Sequence, residues 1–162
     1  MNVYWRHDKM NRKKFTAACM MMICFLLIGC SGVSAKTSIS YTFSVETGDS
    51  VKITLDTSEG YSMTSDLPFA ISKDDETLSQ GTFITADTYY MYVDAVNTQE
   101  NIELLESKSN NHVEYIFWCY SDTEYDYAIL LKDSNTGILL GNNISRESAE
   151  ECFERMQFTV IE

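Results

Sequence analysis

From Ser40 to Leu140 the chain returns again and again to a period of two, and this constrains its fold more than any other feature. Tyr41, Phe43 and Val45 alternate with Ser40, Thr42 and Ser44, so one side of the stretch is apolar and the other polar, as in a half-buried strand. After the turn-forming Glu46-Thr47-Gly48-Asp49, Val51, Ile53 and Leu55 alternate with Lys52, Thr54 and Asp56 and complete a hairpin. A second hairpin joins Phe69 to Ser72 with Thr77 to Ile84 through Lys73-Asp74-Asp75-Glu76; Pro68 opens its first strand and Gly81 marks a bulge or bend in its second. Ile102 to Ser107, Val113 to Tyr120, Tyr125 to Leu131 and Ile138 to Leu140 read as further strands, and Asn110-Asn111 supplies the left-handed backbone of a tight turn.

Two segments break the alternation. Thr85 is a helix N-cap, Asp87 lies in the first turn, and Ala86, Tyr89, Tyr90, Val93 and Val96 share a face, which predicts a helix to about Asn97. Ser145 caps a second helix whose stripe is Ala149, Cys152, Phe153 and Met156, with Arg155 suited to the negative end of the dipole. Gln157 to Ile161 alternates again as a last strand. The expected fold is α+β: one antiparallel sheet of hairpins with both helices covering one of its faces.

The first 29 residues stand apart. Arg12-Lys13-Lys14 precedes a weakly polar to apolar run from Phe15 to Gly29. At that length it suits the core of a secretion signal better than a bilayer span, which needs about 20 residues. Leu27-Ile28-Gly29-Cys30 resembles the lipobox of bacterial lipoproteins. The resemblance implies cleavage before Cys30, a diacylglycerol on its thiol, and a domain held at the extracytoplasmic face of the membrane. Ser31-Gly32-Val33-Ser34 would then be a tether. Val33-Ser34-Ala35 offers a competing site, and cleavage after Ala35 would release a secreted protein. Met10 is as good a start as Met1. The expected organisation is a signal at 1–29, a tether at 30–38 and one domain at 39–162, too short a chain for two.

Removing the signal changes the charge. The five basic residues and one acid before Cys30 leave 7 Lys and Arg against 23 Asp and Glu, a formal charge of −16. Such a field repels nucleic acid and anionic headgroups and favours cationic partners. Two cysteines remain besides Cys30. Cys119 lies on a strand face with Phe117 and Cys152 on the last helix stripe, so the two are expected close together and buried, either bridged or as free thiols.

The usual reactive patterns are thin. Past the signal there is one histidine, His112, in a turn beside Asn110 and Asn111, where exposure is the plain expectation. No phosphate loop, nucleophile elbow or His-Glu-x-x-His occurs. Asp122, Glu124 and Asp126 alternate, and Asp74, Asp75 and Glu76 crowd a turn, but neither set has the glycine and glutamate spacing of a calcium loop. No cofactor or metal is expected.

The order of elements, with Glu103-Leu104-Leu105-Glu106, then Val113-Glu114-Tyr115-Ile116-Phe117, and a closing helix with an acidic first turn before Phe158, resembles the PsbP-like superfamily. Tyr125-Asp126-Tyr127 and Asp133-Ser134-Asn135-Thr136-Gly137-Ile138-Leu139-Leu140 resemble stretches in small lipoproteins of anaerobic Gram-positive bacteria. The likeness spans residues 41 to 162 and implies a binding or assembly module. It carries over no site residue.

Aromatics cluster among acids between Tyr115 and Tyr127. Alternation puts Ile116, Trp118 and Tyr120 on the face opposite Tyr115, Phe117 and Cys119, away from the helices if only one face is covered. Trp118, Tyr120, Asp122, Glu124, Tyr125 and Asp126 are therefore the expected binding surface, suited to a cationic or amphipathic peptide through cation–π contact and steering. The leading expectation is a lipid-anchored binding or accessory protein without catalysis. The alternatives are an immunity-type lipoprotein sequestering a cationic peptide, a subunit of an envelope complex, and a carboxylate-based hydrolase.

Overall fold

A computed structural model describes residues 37–161; the signal, its cleavage sites and Cys30 lie outside the described residues. Among the described residues the fold is mixed α+β, with antiparallel sheets and two helices. Strands β1 (Ser38–Ser44), β2 (Ser50–Asp56) and β10 (Met156–Ile161) form a three-stranded sheet in the order β1-β2-β10. The others are β3 (Tyr61–Met63), β4 (Phe69–Lys73), β5 (Glu76–Thr85), β6 (Ile102–Ser109), β7 (Val113–Tyr120), β8 (Glu124–Leu131) and β9 (Thr136–Asn142). They form a seven-stranded sheet in the order β3-β4-β5-β9-β8-β7-β6. Helix α1 (Ala86–Thr98) follows β5 and α2 (Arg146–Glu154) precedes β10.

The hairpins form where alternation and turn chemistry put them. The β4–β5 turn holds Asp74 and Asp75 at φ 50° and 69°, the left-handed pair that matches the twist of a two-residue hairpin. The β6–β7 turn works differently from expectation. Asn110 acts through its side chain: Oδ1 accepts from the backbone N–H groups of His112 (2.7 Å) and Val113 (2.9 Å). The register shift in the second hairpin falls between Ile71 and Ser72. Gly81 stays in register with Phe69 and Leu140, and is there because a Cβ would stand 2.1 Å from Phe69 Cζ.

Both helix caps are as expected: Thr85 accepts from Thr88 N and Ser145 from Ser148 N. The α1 N–H of Ala86 also donates to the Asn135 carbonyl in the β8–β9 turn. The short β3, and the 3-10 turn Ser58–Gly60 before it, carry no periodic signal and depend on tertiary contacts. Arg155 supplies them, bonding Ser58, pairing with Glu59 at 2.6 Å and lying 4.1 Å over the Tyr61 ring.

Two cores result, one on each face of the large sheet. On one face Tyr115, Phe117, Tyr127, Ile129, Ile138 and Leu140 pack with Val51, Ile53 and Leu55 of β2 and with Ala149 and Cys152 of α2. On the other, Ile116, Trp118, Ala128 and Leu130 pack with Tyr89 and Val96 of α1. The single sheet with both helices on one face is thus corrected. A second small sheet takes the place of one helix, because β2 is apolar enough on its inner side to act as a layer. α1 is then free to cover the opposite face. Tyr90, expected on the buried side of α1, is 55% exposed and leans on Tyr89 edge to face.

Candidate binding surface

Strand register decides which of the six expected surface residues can act together. Trp118 faces Asp126 and Tyr120 faces Glu124 across β7 and β8, and β6 adds Leu104 beside Trp118 and Ile102 beside Tyr120. All of these side chains rise on the α1 side of the sheet. Tyr125 points to the other face, and Asp122 sits in the β7–β8 turn at φ 59°. The six do not form one patch.

Trp118 is corrected outright. Its indole is 3% exposed and stacks on Tyr92 of α1, with ring centroids 5.5 Å apart and planes at 24°. It is a core residue because a helix covers the face that the sequence left bare. Tyr120 and Leu104, beyond that cover, are 40% and 42% exposed. With exposed Glu124 and half-buried Asp126 they form a mixed apolar and acidic surface.

Asp126 is the unusual member. It lies against Gly141 on β9, where a Cβ would come within 3.0 Å of its Oδ1, so the glycine leaves the carboxylate its place. Among the described residues neither a hydrogen bond nor an ion pair reaches it; the ion pairs use Lys108, Arg146 and Arg155. Burial, and then the negative charge of Glu124, push its carboxyl up from 3.8 to about 7. A desolvated carboxylate without a cation is the group that an incoming ammonium or guanidinium stabilises most.

Other carboxylates are engaged. Tyr115 donates to Glu106 at 2.6 Å, Tyr61 to Glu151 at 2.6 Å and Tyr89 to Glu114 at 3.1 Å. Burial and these acids raise the three phenols, Tyr61 to about 12, so they serve as donors. Among the described residues no three His, Cys, Asp or Glu side chains converge to hold a metal ion.

The cysteines are buried, as expected, and free. They are not neighbours. Ser79, Asn142, Tyr125 and Cys119 stand in one row across β5, β9, β8 and β7, and Cys152 hydrogen-bonds at the Ser79 end. Three strand spacings, about 14 Å, separate the ends of that row, beyond the roughly 7 Å between Cα atoms that a disulfide tolerates. Burial raises the Cys152 thiol, which keeps it protonated.

A groove of about 880 Å³ was not legible in the sequence. Its lining includes the rings of Tyr115, Phe153 and Phe158 and the side chains of Lys108, His112 and Lys132. His112 is exposed there, as its turn position implied. Neither Asp126 nor Glu124 lines this groove. Comparison with protein families, curated proteins and solved structures returns no match for this chain. No helix among the described residues is long and apolar enough to cross a membrane.

Proposed function

We propose that this is a lipid-anchored extracytoplasmic binding or accessory protein that docks a cationic peptide or protein segment without turning it over. Its domain would be of the PsbP-like kind and its anchor Cys30. The observation that carries the reading is Asp126, a partly desolvated carboxylate that no cation among the described residues pairs, beside exposed Tyr120, Leu104 and Glu124. A basic side chain entering there gains the carboxylate and the Tyr120 ring, and leaves its apolar stem against Leu104. The −16 charge of the chain from Cys30 steers such a partner in and repels nucleic acid.

A carboxyl raised by burial with a second acid beside it also occurs in glycosidases, which keeps a hydrolase as the second reading. The groove found above does not include this pair, which argues for docking over turnover.

Calorimetric titration of the full-length protein with a basic amphipathic peptide tests the proposal. Affinity should weaken as salt rises and fall about tenfold in Tyr120→Ala, the signature of one hot-spot contact worth about 1.4 kcal/mol. Absence of heat at low salt refutes docking, and a cleaved peptide in the mass spectrum moves the hydrolase to first place. The same spectrum reads the anchor: a diacylated Cys30 terminus supports it, and a soluble product starting at Lys36 overturns it.

A further inference from the structure

Asp126 stands in a row that crosses five strands. Gln80 of β5, Gly141 of β9, Asp126 of β8, Trp118 of β7 and Leu104 of β6 are partnered in turn, so the row lies on the α1 face with neighbours about 4.8 Å apart. Along β8 itself the same-face neighbours, two residues away at about 6.8 Å, are Ala128 and Glu124. Element by element, β9 offers the carboxylate a glycine, β6 a leucine, β5 an uncharged amide two strands away, β7 the Trp118 and Tyr120 rings, and α1 the Tyr92 ring stacked on Trp118. Glu124 is the one formal charge acting on it among the described residues, and it has the same sign.

The ionised form thus has neither a donor nor a counter-ion, yet solvent reaches it. Among the described residues every side-chain nitrogen or oxygen that is sealed from solvent has a hydrogen-bond partner. Asp126 has none, so its oxygens are open to an incoming nitrogen. A half-buried carboxylate in such surroundings is relieved in two ways, by a proton or by a cation. Both take the same oxygens, so each displaces the other.

We propose that docking at this margin is proton-linked: the arriving ammonium or guanidinium displaces one proton from Asp126 to the solvent, so the site fills in neutral medium and empties in acid. This rests on the docking reading above and adds its control. One cation enters and one proton leaves, and by linkage each weakens the hold of the other by the same factor. Burial and Glu124 hold the free carboxyl at about 7. Below neutrality most copies therefore carry the proton, and the apparent affinity falls with the ionised fraction. An ordinary surface carboxylate titrates near 4 and would give no change between pH 5.5 and pH 8.

The test is calorimetric titration of the full-length protein, at constant ionic strength, with an acetylated and amidated peptide of Lys and Leu, which has no group titrating in that range. Affinity should rise at least about tenfold from pH 5.5 to pH 8. Heats measured at pH 6 in two buffers of different ionisation enthalpy should show close to one proton released per peptide bound. Asp126→Asn, which keeps the shape of the protonated acid, should bind weakly at every pH and release none. Glu124→Gln removes the like charge, and should move the midpoint of loading to lower pH while keeping a proton release. If Asp126→Asn does not fold, the wild-type proton count and the Glu124→Gln shift decide. Equal affinity at both ends of the range with no proton released overturns the linkage and leaves docking standing. No heat at pH 8 and low salt overturns docking and the linkage with it. A pH dependence that survives in Asp126→Asn overturns the linkage too, and assigns the proton to another group such as His112.

Discussion

One face of the seven-stranded sheet is closed by a second sheet and α2, whereas among the described residues the other is covered by α1 alone, and the candidate chemistry lies where that thinner cover stops. On the closed face Phe117 stacks on Tyr127 at 4.1 Å and Tyr127 on Phe153 at 4.3 Å, an aromatic run extending into α2. On the α1 face Trp118 finds, among the described residues, a single ring, Tyr92, while Tyr120, two residues on, is left 40% exposed. A helix 13 residues long spans about 20 Å, too little to cover seven strands. A face covered by one helix must therefore leave a margin, and here the margin holds Leu104, Tyr120, Glu124 and Asp126.

The largest expected effect tests whether α1 is true cover. Phe117→Ala and Trp118→Ala should each cost about 3–5 kcal/mol in denaturant unfolding, as buried aromatic truncations do. Both residues are nearly inaccessible, at 1% and 3%. A Trp118→Ala protein that unfolds at the wild-type denaturant concentration would mean that α1 does not pack as described.

That pair also shows what the sequence could reveal. Alternation through Val113 to Tyr120 assigned Phe117 and Trp118 to opposite faces without ambiguity, because a strand's period is local. It could not say what lies over each face. Covering Trp118 depends on Tyr92, 26 residues earlier, and on where α1 docks, which is decided by long-range packing. The same limit separates Cys119 from Cys152: each is buried as its local pattern required, but their spacing is set by the strand order β5-β9-β8-β7, which no local pattern carries. The groove beside β10 depends on two sheets meeting, and so had no signal at all. Asp126 was legible as a member of an alternating acidic set, but its environment was not.

A smaller effect contrasts two glycines, one on each face. Gly81→Ala would drive a Cβ to 2.1 Å from Phe69 Cζ, a ring fully buried on the closed face. Overpacking of this kind should cost about 1–3 kcal/mol. Gly141→Ala on the α1 face meets only Asp126 Oδ1 at 3.0 Å, the end of a side chain that can turn toward water. It should cost less than about 1 kcal/mol. Equal losses in thermal unfolding would mean that the α1-side margin is as tightly filled as the closed face.

The smallest effect is a difference in the sign of pH dependence between the faces. On the closed face, hydrogen bonds from Lys108 and Tyr115 lower the Glu106 carboxyl, so its contribution is present above about pH 4.5 and is lost as pH falls. Asp126 behaves in the opposite sense. Unfolded, it releases its proton near 3.8; folded, it holds it to about 7. Between those values the native state binds more protons, so this group makes stability decline as pH rises, with no further change above the window. Asp126→Asn keeps the shape of the protonated acid and removes the charge. The variant should match wild type near pH 4 and exceed it at pH 8 by on the order of 1 kcal/mol, less than a fully buried carboxylate would give because solvent reaches this one. It should also lose affinity for a basic peptide at pH 8, so stability and binding move in opposite directions. Melting curves of both proteins at pH 4, 6 and 8 decide the matter. If they run parallel across that range, Asp126 is an ordinary solvated acid and the docking surface loses its centre.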